Sequence, residues 1–161
     1  MRRTLVVLSL LVALTGCDDD NNSPSSPTSP SPNPSGSPAA TMALVSATCV
    51  PSIVPAVPSV FAGFAWQVSW VLDVRESAGI NGRVNFLQVT IADQQVMFMD
   101  AAGIAAVAGS ANVAARGALP IPLTLPYNLP DGGKLANVTA TINFTDARGN
   151  VLVASGQLRT F

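Results

Sequence analysis

Histidine is absent from the 161 residues, and cysteine occurs only twice. Without histidine the chain lacks the usual general base near neutral pH and the commonest zinc ligand, and no Ser-His-Asp or Cys-His arrangement can be assembled. Charge is scarce too, at 11% of residues. Across residues 42–161 six acids (Asp73, Glu76, Asp93, Asp100, Asp131, Asp146) balance six bases (Arg75, Arg83, Arg116, Lys134, Arg148, Arg159). No basic cluster interrupts that balance, so the electrostatic footprint of a nucleic-acid binder, or of a binder of anionic lipid, is missing. No apolar run reaches the roughly twenty residues that a membrane-spanning helix needs.

What is there begins with an address. Arg2 and Arg3 precede the apolar run from Leu5 to Leu14, and small residues follow, which is the three-part layout of a secretory signal. At about ten residues the run is half a membrane span, so removal fits better than retention. Its last residues, Leu14-Thr15-Gly16-Cys17, resemble the lipobox of bacterial lipoproteins, an aliphatic residue and two small ones before an obligatory cysteine. An ordinary signal peptide with an incidental cysteine is the plainer alternative. The resemblance implies a signal peptide over residues 1–16, cleavage between Gly16 and Cys17, a diacylglyceryl thioether on Cys17 and an acyl amide such as palmitate on its new amino group. Two or more acyl chains hold a small protein durably on a bilayer, where one binds only marginally. The expected location is the cell envelope, facing away from the cytoplasm, at the periplasm or the cell surface. Asp18 resembles an inner-membrane retention signal of enteric bacteria, which leaves the choice of membrane open across other lineages.

From Asp18 to Thr41 the composition shifts to Asp, Asn, Ser, Thr, Gly and Pro, with six prolines between Pro24 and Pro38. Such a stretch cannot repay the entropy of ordering, and its prolines favour extended conformations of about 3.1 Å per residue. Residues 17–41 are therefore expected to be a lipidated cysteine followed by a tether of up to roughly 70 Å. Asp18-Asp19-Asp20 lacks the converging oxygens of a calcium site and reads as solvated charge.

Residues 42–161 are long enough to bury a core without disulfides or metals. Phe64, Trp66, Val68, Trp70, Leu72 and Val74 alternate with small or polar residues, the period of a strand packed on one side. Val138, Ala140, Ile142 and Phe144 repeat the pattern, and Asp146-Ala-Arg-Gly-Asn150 turns the chain into a strand over Val151–Leu158. The turn Ser77–Gly82 leads into Arg83–Ile91, where the apolar parity changes between Phe86 and Leu87, so a bulge is expected. In Leu119–Tyr127 three prolines occupy intervening positions, which places that strand at a sheet edge. Asp100–Gly109 is expected to form a short helical turn, with Asp100 as N-cap and Ile104 and Val107 on one face. Short strands near Leu44–Val50 and Val96–Met99 bring the total to about seven, the number of a β-sandwich. Cys49 falls in a strand and has no partner for a disulfide, which makes it a buried structural thiol.

This pattern of paired strands behind a lipobox and linker resembles bacterial extracytoplasmic immunoglobulin-like domains, including adhesion-related ones, though without the paired cysteines of antibody domains. The resemblance implies an all-β, immunoglobulin-like sandwich and carries over no functional residue. The six carboxylates lie mostly at strand ends or in turns, where solubility explains them better than glycoside hydrolysis. Asn81-Gly82 and Asp131-Gly-Gly133 read as turns, and the Asn-X-Ser/Thr sequons at Asn21, Asn137 and Asn143 as outward polar positions. No enzyme activity, metal or cofactor is expected. The expected role is that of a membrane-anchored lipoprotein with a structural, adhesion or protein-interaction domain. The alternative is a carbohydrate-binding module in which Trp66, Trp70 and Tyr127 stack on sugar. Expected partners are the membrane, through lipid on Cys17, and an envelope protein or a glycan.

Overall fold

The computed structural model describes residues 40–92 and 94–161. The signal segment, Cys17 and all of the Ser/Pro-rich stretch before Ala40 lie outside the described residues. The elements run β1 (Val45–Val50), β2 (Ile53–Val54), β3 (Val57–Pro58), β4 (Trp66–Glu76), β5 (Gly82–Ile91), β6 (Gln94–Asp100), α1 (Ala101–Ala108), β7 (Asn112–Val113), β8 (Ala118–Tyr127), β9 (Asn137–Asp146) and β10 (Val151–Thr160). Among the five long strands, β4, β8 and β9 have apolar residues at every second position. Their inward rows, such as Val68-Trp70-Leu72-Val74 and Val138-Ala140-Ile142-Phe144, meet in one core.

Two sheets pack face to face. In the first, β4 is central, with β8 antiparallel along its whole length and β1 and β3 sharing its other side. In the second, the order is β2-β10-β9-β5-β6, with β7 beside the start of β5. The N-terminal strand is divided between them. β1 leaves β4 at the cis Val50–Pro51 bond, β2 runs parallel to the end of β10, and β3 returns to the start of β4. In the immunoglobulin arrangement strands A, B and E share one sheet, and G, F, C and C′ the other. Here β1-β4-β8 take the first set of places and β10-β9-β5-β6 the second, so the domain is an immunoglobulin-like β-sandwich. Among the described residues no separate D strand forms. Instead α1 and β7 fill the connection between the sheets.

Several local expectations are met and some are corrected. The bulge falls at Asn85, since Val84 pairs with Phe144 while Phe86 pairs with Asn143. It lets both Val84 and Leu87 reach the core and turns Phe86 outward, where it stacks on Phe98 with ring centroids 5.6 Å apart. β8 is an edge strand whose inward row pairs with β4 while Pro120, Pro122 and Pro126 direct their missing donors to the free edge. The helix is capped by Asp100, which accepts from the Gly103 amide at 2.8 Å, and ends at Gly109 with φ 78°. Only Ile104 of its two apolar residues is buried, however; Val107 faces solvent, because a helix of two turns lying between two sheet edges offers them a narrow stripe. Phe64 does not begin β4 but sits in the preceding turn, exposed. Beyond the seven expected strands, β2, β3 and β7 are two-residue pairings with no periodicity to betray them.

Gly82 is more than a turn residue. A Cβ there would collide with the Phe144 ring and the Thr145 carbonyl, so the start of β5 lies against β9 closely enough to exclude any side chain. Gly156 plays a similar part where β10 passes under β1, its Cα facing the Cys49 amide nitrogen and the Ala47 carbonyl. Gly82→Ala is expected to lower stability by about 1–3 kcal/mol through overpacking, read as a shift in the urea midpoint. An unshifted midpoint contradicts the close approach.

Candidate functional site

The aromatic residues proposed as a sugar platform are not assembled into one. Trp70 is 4% exposed and Tyr127 1% exposed, both in the row facing the core. The Tyr127 hydroxyl donates to the Lys134 carbonyl at 2.6 Å, and burial of the ring raises its pKa. Trp66, half-buried at the start of β4, donates its indole N–H to the Gly132 carbonyl at 3.3 Å. The stacking reading therefore fails for Trp70 and Tyr127, because period-two alternation on β4 and on β8 places their rings between the sheets. Cys49 lies in the same core, and burial pushes its thiol up to about 11, so it stays protonated at neutral pH. The Trp70 indole N–H beside it works weakly in the opposite direction without reaching hydrogen-bonding geometry.

The strands give the sandwich two poles. Chain enters at the proximal pole, among the β4–β5 and β9–β10 turns. Two carboxylates read as surface residues from sequence are buried here. Glu76 accepts from the backbone amides of Leu44, Ala78, Gly79, Ile80 and Arg116 at 2.7–3.3 Å. Asp146 accepts from the amides of Ala43, Arg148 and Asn150 and from the Asn150 side chain at 2.9–3.1 Å. Burial alone would raise both pKa values, but the converging N–H groups outweigh it. Glu76 is held below its ordinary value, and Asp146 falls to about 2. The Glu-Ser-Ala-Gly and Asp-Ala-Arg-Gly-Asn turns were visible in the sequence, but the partners at Ala43, Leu44 and Arg116 were not. The other described carboxylates are also engaged: Asp73 pairs with Arg75, Asp100 caps α1, and Asp131 accepts from Gly133. Among the described residues no three metal-ligating side chains converge.

The outer face of the second sheet is broad and almost free of charge. Register places Val151 and Val153 of β10, Thr139, Thr141 and Asn143 of β9, and the Phe86–Phe98 stack on this side. Its charged side chains among the described residues are Arg83, Arg159 and Asp100, all near its margins. Three ten-residue strands (β10, β9 and β5) and the seven-residue β6, about 4.8 Å apart with about 3.4 Å per residue, give a face of roughly 20 by 34 Å at its longest. One side of a standard protein interface buries about 800 Å².

The distal pole carries a group of exposed apolar side chains beside Asp131, Lys134 and Arg159. Val60, Phe61 and Phe64 of the β3–β4 turn are exposed, as are Ile53, Leu135 and Phe161 nearby. Beside them a cleft of about 530 Å³ opens between β6 and the end of β8, lined by Phe64, Ile91, Met97, Leu125, Tyr127 and Leu129 among others.

No protein-family model and no curated protein matches the chain. Among solved structures, the X-ray structure of the Northeast Structural Genomics Consortium target SoR45 superimposes with a TM-score of 0.51 at 10% identity, covering 73% of this chain and 85% of that one. The CARDB domain of a Pyrococcus furiosus protein, in complex with di-metal ions, gives 0.40 at 13% identity over 73% of this chain and 93% of its own. Spo0M, a sporulation control protein from Bacillus subtilis, gives 0.38 at 14% identity over 74% of this chain and 48% of its own. The first likeness bears on the fold alone, and the other two carry no argument.

The proximal carboxylates make stability pH-dependent in a defined sense. Asp146 ionises at about 2 in the fold against an ordinary 3.8, so the unfolded chain holds its proton more tightly. The stabilisation is complete above the ordinary carboxylate range and is lost as pH falls through about 2. Glu76, also lowered, acts in the same direction. Urea midpoints are therefore expected to fall as pH drops below about 4, and Asp146→Asn is expected to flatten that fall. A midpoint that rises on acidification contradicts the assignment.

Proposed function

We propose that the protein is a membrane-anchored extracytoplasmic lipoprotein whose immunoglobulin-like domain acts without catalysis, as an adhesion or interaction module contacting another envelope protein. The anchor rests on Leu14-Thr15-Gly16-Cys17 and the charged and apolar segment before it. The interaction reading rests on the outer face of the second sheet. That face is close in size to one half of a standard interface, and it carries exposed apolar residues among hydrogen-bonding Thr and Asn side chains. With its described carboxylates committed to a cap, turns, amides and the Asp73–Arg75 pair, the domain offers proteins a surface rather than offering small substrates a reactive group.

Two measurements test this. Mass spectrometry of the mature protein is expected to find Cys17 at the N-terminus carrying acyl groups, and an uncut leader or a bare thiol contradicts the anchor. A photo-crosslinker at Val153 in intact cells is expected to capture one protein repeatedly, while the same group at Pro122, on the outer face of the first sheet, captures none. Equal yields at both positions contradict the interaction face.

A further inference from the structure

At the proximal end of the second sheet an open groove of about 670 Å³ runs over the start of β5, between β7 and the end of β9. Amide side chains dominate its lining: Asn81, Asn85 and Asn112 stand there with Arg83 and Thr145. The bulge in β5 builds its inner end. A regular strand would turn Phe86 back to the core; with Asn85 outside the ladder, Asn85 and Phe86 both lie on the outer face.

The Asn85 amide donates to Asn143 Oδ1 and to Thr145 Oγ1, each at 2.7 Å. Both of its hydrogens are thereby used. Three groups are left without a partner among the described residues: the acceptor Oδ1 of Asn85, the donor Nδ2 of Asn143 and the hydroxyl proton of Thr145. All three side chains are half-buried, and the bonds at one end of each fix the direction of the other. Asn81 and Asn112, exposed at the rim, add two more amides.

The chemistry of this lining selects among ligands. Arg83 and Asp146 both border the groove, so an anion is attracted by one and repelled by the other. A cation finds no uncommitted carboxylate oxygen, because those of Asp146 already accept from the amides of Ala43, Arg148 and Asn150. The groove lies on the face of a sheet, between paired strands, where a peptide cannot add as a further strand. An apolar molecule would strip water from the half-bonded amides and return no bond. A neutral polyhydroxyl ligand replaces that water, since every hydroxyl both donates and accepts. Phe86 stands opposite Asn143 and stacks on Phe98, which sets an aromatic face beside the amides. The C–H hydrogens of a sugar ring pack against such an electron-rich face. The volume is also that of a small-ligand site, roughly 300–1,000 Å³.

We propose that the groove is a saccharide-binding site in which Asn85, Asn143 and Thr145 bond the hydroxyls of a neutral glycan and Phe86 packs against a sugar ring. The site goes beyond the protein contact proposed for the outer face, which it adjoins. None of its residues belongs to the set Trp66, Trp70 and Tyr127.

The test uses the full-length chain with Cys17→Ser, which removes the expected acylation site. Its binding is measured to neutral cello-, malto-, xylo- and chito-oligosaccharides and to acidic oligogalacturonates. At least one neutral class is expected to bind, with an affinity by titration calorimetry that high salt alters little. Asn85→Ala is expected to weaken that affinity about tenfold, the value of one or two hydrogen bonds. Thr145→Val, which keeps the shape and removes the hydroxyl, should weaken it severalfold. Thr139→Ala, at the other end of β9, should leave it unchanged. Circular dichroism establishes that each variant is folded, and Thr145→Val decides if Asn85→Ala is not. Absence of binding to every neutral class overturns the proposal, as does an affinity that the variants at Asn85 and Thr145 leave unmoved. Binding confined to the acidic glycans and lost in high salt also overturns it, by assigning the groove to Arg83 alone. These measurements contain no second protein, so they are independent of the photo-crosslinking result at Val153.

Discussion

Two buried carboxylates fix how this sandwich is held and where it points. Glu76 closes β4 and Asp146 closes β9, one in each sheet, and both spend their charge on backbone amides rather than on bases. Between them they bind the amides of Ala43 and Leu44, the last residues before β1. Buried charge is tolerated only when its acceptors are filled, and here amides from three or more chain segments fill them. The same bonds that stitch the turns of both sheets thus also seat the incoming chain, and the proximal pole becomes the fixed end of the domain.

From that constraint the rest of the surface acquires direction. β1 is set against β4, and the close approach of Gly156 brings β10 beneath it, closing one side of the sandwich. The opposite side is closed in its proximal half by α1 through Ile104, while its distal half is left as a cleft. The first sheet's free edge is blunted by three prolines. Polar turns surround the incoming chain, and the β3–β4 turn with exposed Val60, Phe61 and Phe64 stands at the far end.

Much of the fold was legible because strands buried on one face announce themselves. Rows such as Leu119-Ile121-Leu123-Leu125 and Val138 to Phe144 need only period two, and the parity change at Phe86-Leu87 could be read as a bulge without coordinates. Alternation misled where it ran through a turn: Phe64 keeps the parity of Trp66 and Trp70, yet lies beyond the last pairing of β4 with β8. The short β2 and β3 exist only because the chain crosses between sheets, a tertiary event without local signal. Glu76 and Asp146 escaped for a similar reason, since their amide partners at Leu44, Arg116 and Ala43 lie 32, 40 and 103 residues away. The core reading of the tryptophan row holds for Trp70, and Tyr127 of β8 is buried with it, while Trp66 at the start of β4 is only half-buried.

Hydrogen exchange at the amides of Ala43 and Leu44 tests most directly whether buried carboxylates seat the incoming chain. If they do, both amides exchange as slowly as those in the middle of β9, and only with global unfolding. Exchange at the rate of free chain, while β9 stays protected, would show that the segment before β1 is not held and that the domain has no fixed pole.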